Sequence, residues 1–171
     1  MRVDRWFSFV DLSGFTSFGD EFGDDASVGV LTVFRASVRQ VATDFGVRIA
    51  KWLGDGCMLV SVDPRMLTAS VCTLENLVHE ADLPLSLHAG CAGGAVILLE
   101  GDDYTGRSVN MAARLATVAG PHEILAPVDL TEFVPDGTAI EPAGMISLQG
   151  LHDPVEVIRF GCAAAGDTVH S

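Results

Sequence analysis

The chain has a single lysine. Lysine and arginine together number 10 against 23 aspartates and glutamates, a formal charge of −13 over 171 residues. So few bases argue against nucleic acid or an anionic membrane surface as partner, because both are held through many simultaneous basic contacts. No apolar run approaches the roughly 18 residues that a membrane span needs. The N-terminus, Met1-Arg2-Val3-Asp4-Arg5, runs into an apolar stretch interrupted by Asp11, which is no signal peptide. The four cysteines, Cys57, Cys72, Cys91 and Cys162, have neither C-x-x-C nor disulfide-framework spacing, so reduced, buried thiols and a cytoplasmic location are expected. Only seven prolines and an apolar content of 49% argue against disorder. A chain of this size buries roughly two-thirds of its unfolded surface. One domain over residues 1–161 is expected, with a flexible tail of small residues over 162–171.

What is present alternates strands and helices. Trp6 to Leu12 reads as a strand. Leu31, Phe34, Val38, Val41 and Phe45 recur at helical spacing before Gly46, a glycine stop. Val47 to Trp52 and Cys57 to Val62 read as strands joined by Asp55-Gly56, a hairpin signal. Asp63-Pro64 reads as an N-cap and first helical residue, followed by the stripe Leu67, Val71, Leu74 and Val78. Leu85 to Gly94 is a strand. Gly106 to Val118 is a helix stopped by Gly120-Pro121. Glu123 to Ala126, Gly144 to Gln149 and Pro154 to Phe160 are further strands. The order predicts an α+β fold, a ferredoxin-like βαββαβ core with additional C-terminal strands.

Three blocks carry polar residues that this framework does not need. Asp11 ends the first strand before Ser13-Gly14-Phe15-Thr16, where a glycine turn and helix start expose N–H groups suited to phosphate oxygens. The plain alternative is a turn-capping aspartate; a D-x-D phosphatase nucleophile does not fit, because position 13 is Ser. Asp55 at the hairpin tip is an ordinary turn residue unless it stands beside Asp11. Two such carboxylates could then hold two hard divalent ions, whose other ligands are water and substrate phosphates. Lys51 lies in an apolar strand, where a lysine ordinarily reaches out to solvent. Asn110 and Arg114, four apart on a helix, project from one face. Asp103 stands just upstream beside Asp102, otherwise a turn residue.

The blocks F-x-D-x-x-G-F-T (Phe9–Thr16), K-x-x-G-D-G (Lys51–Gly56) and D-x-x-G-x-x-V-N-x-A-A-R (Asp103–Arg114) together resemble the class III nucleotidyl cyclase catalytic domain, the family of adenylate and guanylate cyclases. The resemblance runs from Phe9 to about Phe160 and includes the closing Gly150-Leu151-His152-Asp153-Pro154-Val155. It implies conversion of ATP to cyclic AMP and pyrophosphate by two-metal-assisted in-line attack of the ribose 3′-hydroxyl on the α-phosphate. Asp11 and Asp55 would bind Mg²⁺ or Mn²⁺, two ions per site. Lys51 and Asp103 would read the base, Asn110 would orient the ribose, and Arg114 would stabilise charge at the α-phosphate. In the family these groups come from two subunits, so a head-to-tail homodimer with shared active sites is implied. Lysine only donates and aspartate only accepts, which matches N1 and N6 of adenine and mismatches guanine. One departure stands out: Gln149 occupies a position where the family often has a base for the terminal phosphates, and Arg107 is a possible substitute. The competing reading is a cyclase-like nucleotide-binding or regulatory module of weak or no turnover. A GGDEF-type sequence is absent.

Overall fold

The computed structural model describes residues 1–161. The expected tail at 162–171, with Cys162, lies outside the described residues. Strand β1 (Arg2–Ser13) buries Val10 and Leu12 on one face and Phe7 on the other. A strand covered on both faces loses the apolar–polar alternation of a half-exposed one. After it come α1 (Phe15–Phe22) and α2 (Asp24–Phe45), the hairpin β2 (Arg48–Leu53) and β3 (Gly56–Ser61), α3 (Pro64–Glu80) and β4 (Ser86–Leu98). Then follow the short β5 (Tyr104–Thr105), α4 (Arg107–Val118), β6 (Ile124–Pro127), β7 (Ala139–Ile146) and β8 (Val155–Gly161).

The sheet order is β2-β3-β1-β4-β6-β8-β7, with β5 beside β4. The first four strands in that order pair antiparallel throughout and, with their helices, form the expected βαββαβ core. The C-terminal strands extend it past β4 through one parallel pairing, β4 with β6. Helices α2 and α3 cover one face through Phe34, Val38, Val41, Leu67, Val71, Leu74 and Val78. Helix α4 covers the other through Met111, Ala112 and Leu115.

The helix signals act as the sequence implied. Asp63 accepts the Arg65 N–H at 2.9 Å ahead of Pro64. Gly46 closes α2 at φ 65°, a left-handed turn that favours glycine. The buried stripe of α2 begins at Val30 rather than Leu31, because spacings of four and three both keep one face. The strand expected at Gly144 to Gln149 is displaced: β7 ends at Ile146, and Gln149 lies exposed in a turn. Leu148 is buried there, and the Leu151 N–H donates to its carbonyl at 3.1 Å, with Gly150 left-handed at φ 83°. Closing that turn takes the last part of the apolar run out of the ladder.

Helix α4 lies unusually close to β4. A Cβ added at Gly90 would run into the Ala112 carbonyl and the Ala116 amide. Gly90→Ala should therefore destabilise the protein by about 1–3 kcal/mol, the usual cost of overpacking. Denaturant unfolding measures this; an unchanged midpoint would mean that α4 moves freely on the sheet.

A buried carboxylate ties α3 to the start of β4. Glu75 is 1% exposed, and its Oε1 lies 2.7 Å from His122 Nδ1, while His122 Nε2 lies 2.9 Å from Ser86 Oγ. Burial raises the Glu75 carboxyl, and the contacts with His122 and His79 oppose that rise. Among the described residues, no helix is long and apolar enough to cross a membrane.

Candidate active site

Asp11 comes to the end of β1 opposite Gly56 of β3. A Cβ at Gly56 would strike the Val10 carbonyl and stand 3.0 Å from Asp11 Oδ1. Glycine at this position therefore gives the Asp11 carboxylate room to lie across the hairpin beside Asp55. The two carboxyl groups are close enough to hydrogen-bond. Desolvation, then the Asp55 hydrogen bond and charge, push Asp11 up to about 6; the Leu12 N–H and His88 pull it down. His88 donates from Nδ1 to the Ala116 carbonyl at 2.8 Å, since a carbonyl only accepts. This leaves Nε2 facing Asp11 Oδ2 at 3.9 Å.

The hairpin tip is held from behind by α2. Arg35 Nη2 donates to the Gly54 carbonyl at 3.3 Å, and the guanidinium groups of Arg35 and Arg39 lie 4.9 and 5.3 Å from the centroid of the Trp52 ring. Neither His88 nor Arg35 stands out along the chain. A histidine in a strand and an arginine on a helix carry no local mark of these roles.

Among the described residues, no group of three or more His, Cys, Asp and Glu gathers as a metal site. Two apposed carboxylates nevertheless fit a hard divalent ion that keeps water and takes phosphate oxygens as its remaining ligands. The Asp11 carboxyl is raised by burial first and by the adjacent Asp55 second, and a cation bound there would favour the ionised form against both. A folded-state value raised from 3.8 to about 6 means that Asp11's contribution to stability is complete at low pH and lost as pH rises through that range. Asp11→Asn keeps an acceptor for Leu12 and removes the charge. It should raise the melting temperature by a few degrees at about pH 7.5, a modest gain because 42% of the side chain is exposed and solvent screens it. The gain should shrink toward about pH 4. Added Mn²⁺ should raise the wild-type midpoint more than the variant's. A variant that melts lower than wild type at neutral pH would count against carboxylate crowding.

Lys51 and Asp103 meet directly, Nζ to Oδ1 at 2.9 Å, each about half-exposed. Asp103 Oδ1 also accepts the Tyr104 N–H at 2.9 Å. Its carboxyl is held below the usual range by the Lys51 hydrogen bond first and the Tyr104 amide second. Two N–H bonds of Lys51 and the Asp103 Oδ2 remain for a ligand. The pair is set back from the carboxylates: Lys51 is level with Phe9 across β3, two residues before Asp11, and the Tyr104 that anchors Asp103 packs on Phe7, four residues before Asp11 and about 13 Å along β1.

Gly14 adopts a left-handed φ of 76° and starts α1, with the Phe18 N–H returning to its carbonyl at 2.9 Å. Phe15 packs against the core and Thr16 is exposed. Asn110 and Arg114 stand exposed one turn apart on α4. Ala113 and Thr117 of the same helix line a cavity of about 220 Å³ with Phe9, Asp11, Gly56 and His88. Small-molecule pockets usually run to roughly 300–1,000 Å³, so this cavity alone does not enclose a nucleoside triphosphate. Arg107 begins α4 and lines a different cavity with Ser108 and Glu156.

No family model matches the chain. It is 37% identical over 147 residues to an uncharacterized protein of Mycobacterium tuberculosis, covering 86% of this chain and 38% of that one. It is 31% identical over 157 residues to a pH-sensitive adenylate cyclase of Mycobacterium tuberculosis, covering 89% of this chain and 39% of the relative. The chain thus spans about two-fifths of the length of these curated relatives. Among solved structures, it superposes on the adenylyl cyclase CyaB of P. aeruginosa with a TM-score of 0.76 at 24% identity, covering 95% of both chains. It superposes on the guanylyl cyclase Cya2 with a TM-score of 0.83 at 21% identity, covering 99% of this chain and 96% of that one. The chain is a class III nucleotidyl cyclase catalytic domain in fold, with adenylate cyclases among its sequence relatives.

Proposed function

We propose that the protein is an adenylate cyclase acting as a head-to-tail homodimer. The observation that carries this reading is the presence, on one sheet, of a carboxylate pair at Asp11 and Asp55 and a separate Lys51–Asp103 pair. Asp103 accepts from the adenine N6 amino group and Lys51 donates to N1, a pattern that guanine reverses. A base that mismatches both leaves polar groups unpaired, which is how hydrogen-bonding sites discriminate strongly. Asn110 holds the ribose. The free N–H groups after Gly14, at Phe15 and Thr16, hold phosphate oxygens. Divalent ions held by Asp11 and Asp55 would neutralise the triphosphate and acidify the 3′-hydroxyl. The 3′-hydroxyl gives its proton to solvent water, its oxygen attacks the α-phosphorus in line, the bond to the β-phosphate oxygen breaks to release pyrophosphate, and Arg114 takes up the charge that develops between them.

The test is purified protein with ATP and Mn²⁺ or Mg²⁺, with products separated by chromatography. Cyclic AMP and pyrophosphate are expected in equal amounts, and Lys51→Glu combined with Asp103→Ser should lose the preference for ATP over GTP. No product at concentrations where a dimer is demonstrated would favour a nucleotide-binding module without turnover. The exposed Gln149, which brings no positive charge to the terminal phosphates, is the feature that favours that second reading.

A further inference from the structure

Strand β2 carries Arg48 and Lys51 three residues apart, and in a regular strand these would face opposite sides. The register changes that. Arg48 pairs with Val60 and Lys51 with Met58, two apart on β3, with an irregularity between Ile49 and Lys51. The extra residue is a β-bulge that turns Lys51 back to the face of Arg48. Both side chains then reach the same segment. Lys51 takes Asp103 at 2.9 Å. Arg48 Nη2 donates to the Tyr104 hydroxyl at 2.9 Å and approaches the Asp102 carbonyl at 3.5 Å, with its guanidinium 5.7 Å from the Tyr104 ring centroid.

Tyr104 is the only tyrosine in the chain. Its ring packs edge-on against the fully buried Phe7, centroids 5.3 Å apart, and its amide donates to Asp103 Oδ1. The segment that this brace grips is tied to β4 by its backbone, through the Leu99 N–H to the Asp103 carbonyl at 2.8 Å and the pairing of Tyr104 with Leu98, which leaves the Asp103 side chain to be set by Lys51 and the Tyr104 amide. Gly101 and Asp102 both have left-handed φ, 75° and 58°, and β5 is only two residues long. Among the described residues, Arg48 has no carboxylate partner, so its fork is committed to this loop.

The geometry points to Arg48 as a positioning residue for base discrimination: with Tyr104 and Phe7 it fixes Asp103 against Lys51, so that a purine edge meets donor and acceptor at a set separation. The inference rests on the reading of Lys51 and Asp103 as the base-reading pair. It also accounts for arginine at position 48, since a guanidinium reaches a hydroxyl and a carbonyl together and an ammonium is a single point of charge.

The experiment is steady-state kinetics of the full chain on ATP and on GTP with Mn²⁺. Arg48→Gln and Tyr104→Phe should each lower the ATP-over-GTP ratio of kcat/KM by about tenfold, the scale of a small misplacement in a preorganised site. The loss should appear mainly in KM for ATP, with kcat within about twofold, as expected for a weakened binding contact. Arg48→Lys should recover part of the ratio, and the double variant should be no worse than either single one, because both remove the same brace. A specificity ratio that stays unchanged in folded Arg48→Gln would overturn the inference. So would equal losses on both nucleotides accompanied by a lower melting temperature, the mark of a merely structural role. Lys51→Glu with Asp103→Ser in the same assay separates the two ideas. If that change leaves ATP preference intact, the base-reading assignment fails and this inference with it. If it alters preference and Arg48→Gln does not, only the brace is wrong. Where turnover is too slow to measure, displacement of a fluorescent ATP analogue by ATP and by GTP reads the same ratio.

Discussion

Asp11→Ala protein mixed with Lys51→Ala protein should recover about one quarter of wild-type turnover, although each variant alone is nearly inactive. The fraction follows from symmetry: free exchange makes about half the dimers mixed, and each mixed dimer has one intact site of its two. The physical case begins with the sheet. Asp11 and Asp55 meet at the end of β1, while Lys51 and Asp103 meet where Tyr104 lies against Phe7, further back on the strand. The cavity beside Asp11, about 220 Å³, does not enclose a triphosphate on its own chain. On the proposed head-to-tail dimer, the Lys51–Asp103 pair that serves this Asp11 is the one on the second copy. Both substituted side chains are half-exposed, so neither change should unfold the chain. Cyclic AMP formation after co-incubation, with exchange verified by differently tagged chains, gives the result. If exchange is demonstrated and turnover stays at the level of the single variants, all the groups act within one chain and the shared-site reading is wrong.

Some of this could be read along the chain and some could not, for physical reasons. The helices α2 and α3 were legible because each has a stripe at helical spacing and its own stop or cap, as with Asp63 before Pro64 and Gly46 after Phe45, and α4 from its stop at Gly120-Pro121. The β2–β3 hairpin was legible from the glycines around Asp55, but its turn falls one residue earlier than Asp55-Gly56 suggests: Gly54, left-handed at φ 66°, and Asp55 form it, and Gly56 already pairs with Leu53. The end of β7 was not, because Leu148 is apolar in strand and turn alike, and the left-handed Gly150 decides between them. Periodicity also gave no hint of the bulge before Lys51, since it is a fact about pairing with β3. The meeting of Lys51 with Asp103 and the clasp of Glu75 by His122 join segments far apart in sequence, so only tertiary packing reveals them. The motif blocks named candidate residues; the fold supplied their neighbours, His88, Arg35 and Arg48 among them.

Those neighbours make the contrast at Arg114 sharp, because it has none. Its side chain stands exposed on α4 one turn beyond Asn110, without a hydrogen bond or ion pair among the described residues, while Ala112 and Leu115 of the same helix are buried against the sheet. An arginine without a structural partner can be removed at little cost to the fold, and alanine is the better helix former. Arg114→Ala should therefore melt within a degree or two of wild type yet lose roughly 10²–10³-fold in kcat, the scale for deleting a preorganised group that stabilises developing charge. KM for ATP should change little, since the charge that Arg114 meets is larger in the transition state than in bound ATP. Arg114→Lys should restore only part of the loss, because an ammonium does not span two phosphoryl oxygens as a guanidinium does. The decisive comparison is kcat against KM under saturating Mn²⁺. A variant whose kcat stays within a few-fold of wild type would remove Arg114 from the reacting phosphate, and a variant that loses only KM would make it a binding contact for ground-state ATP.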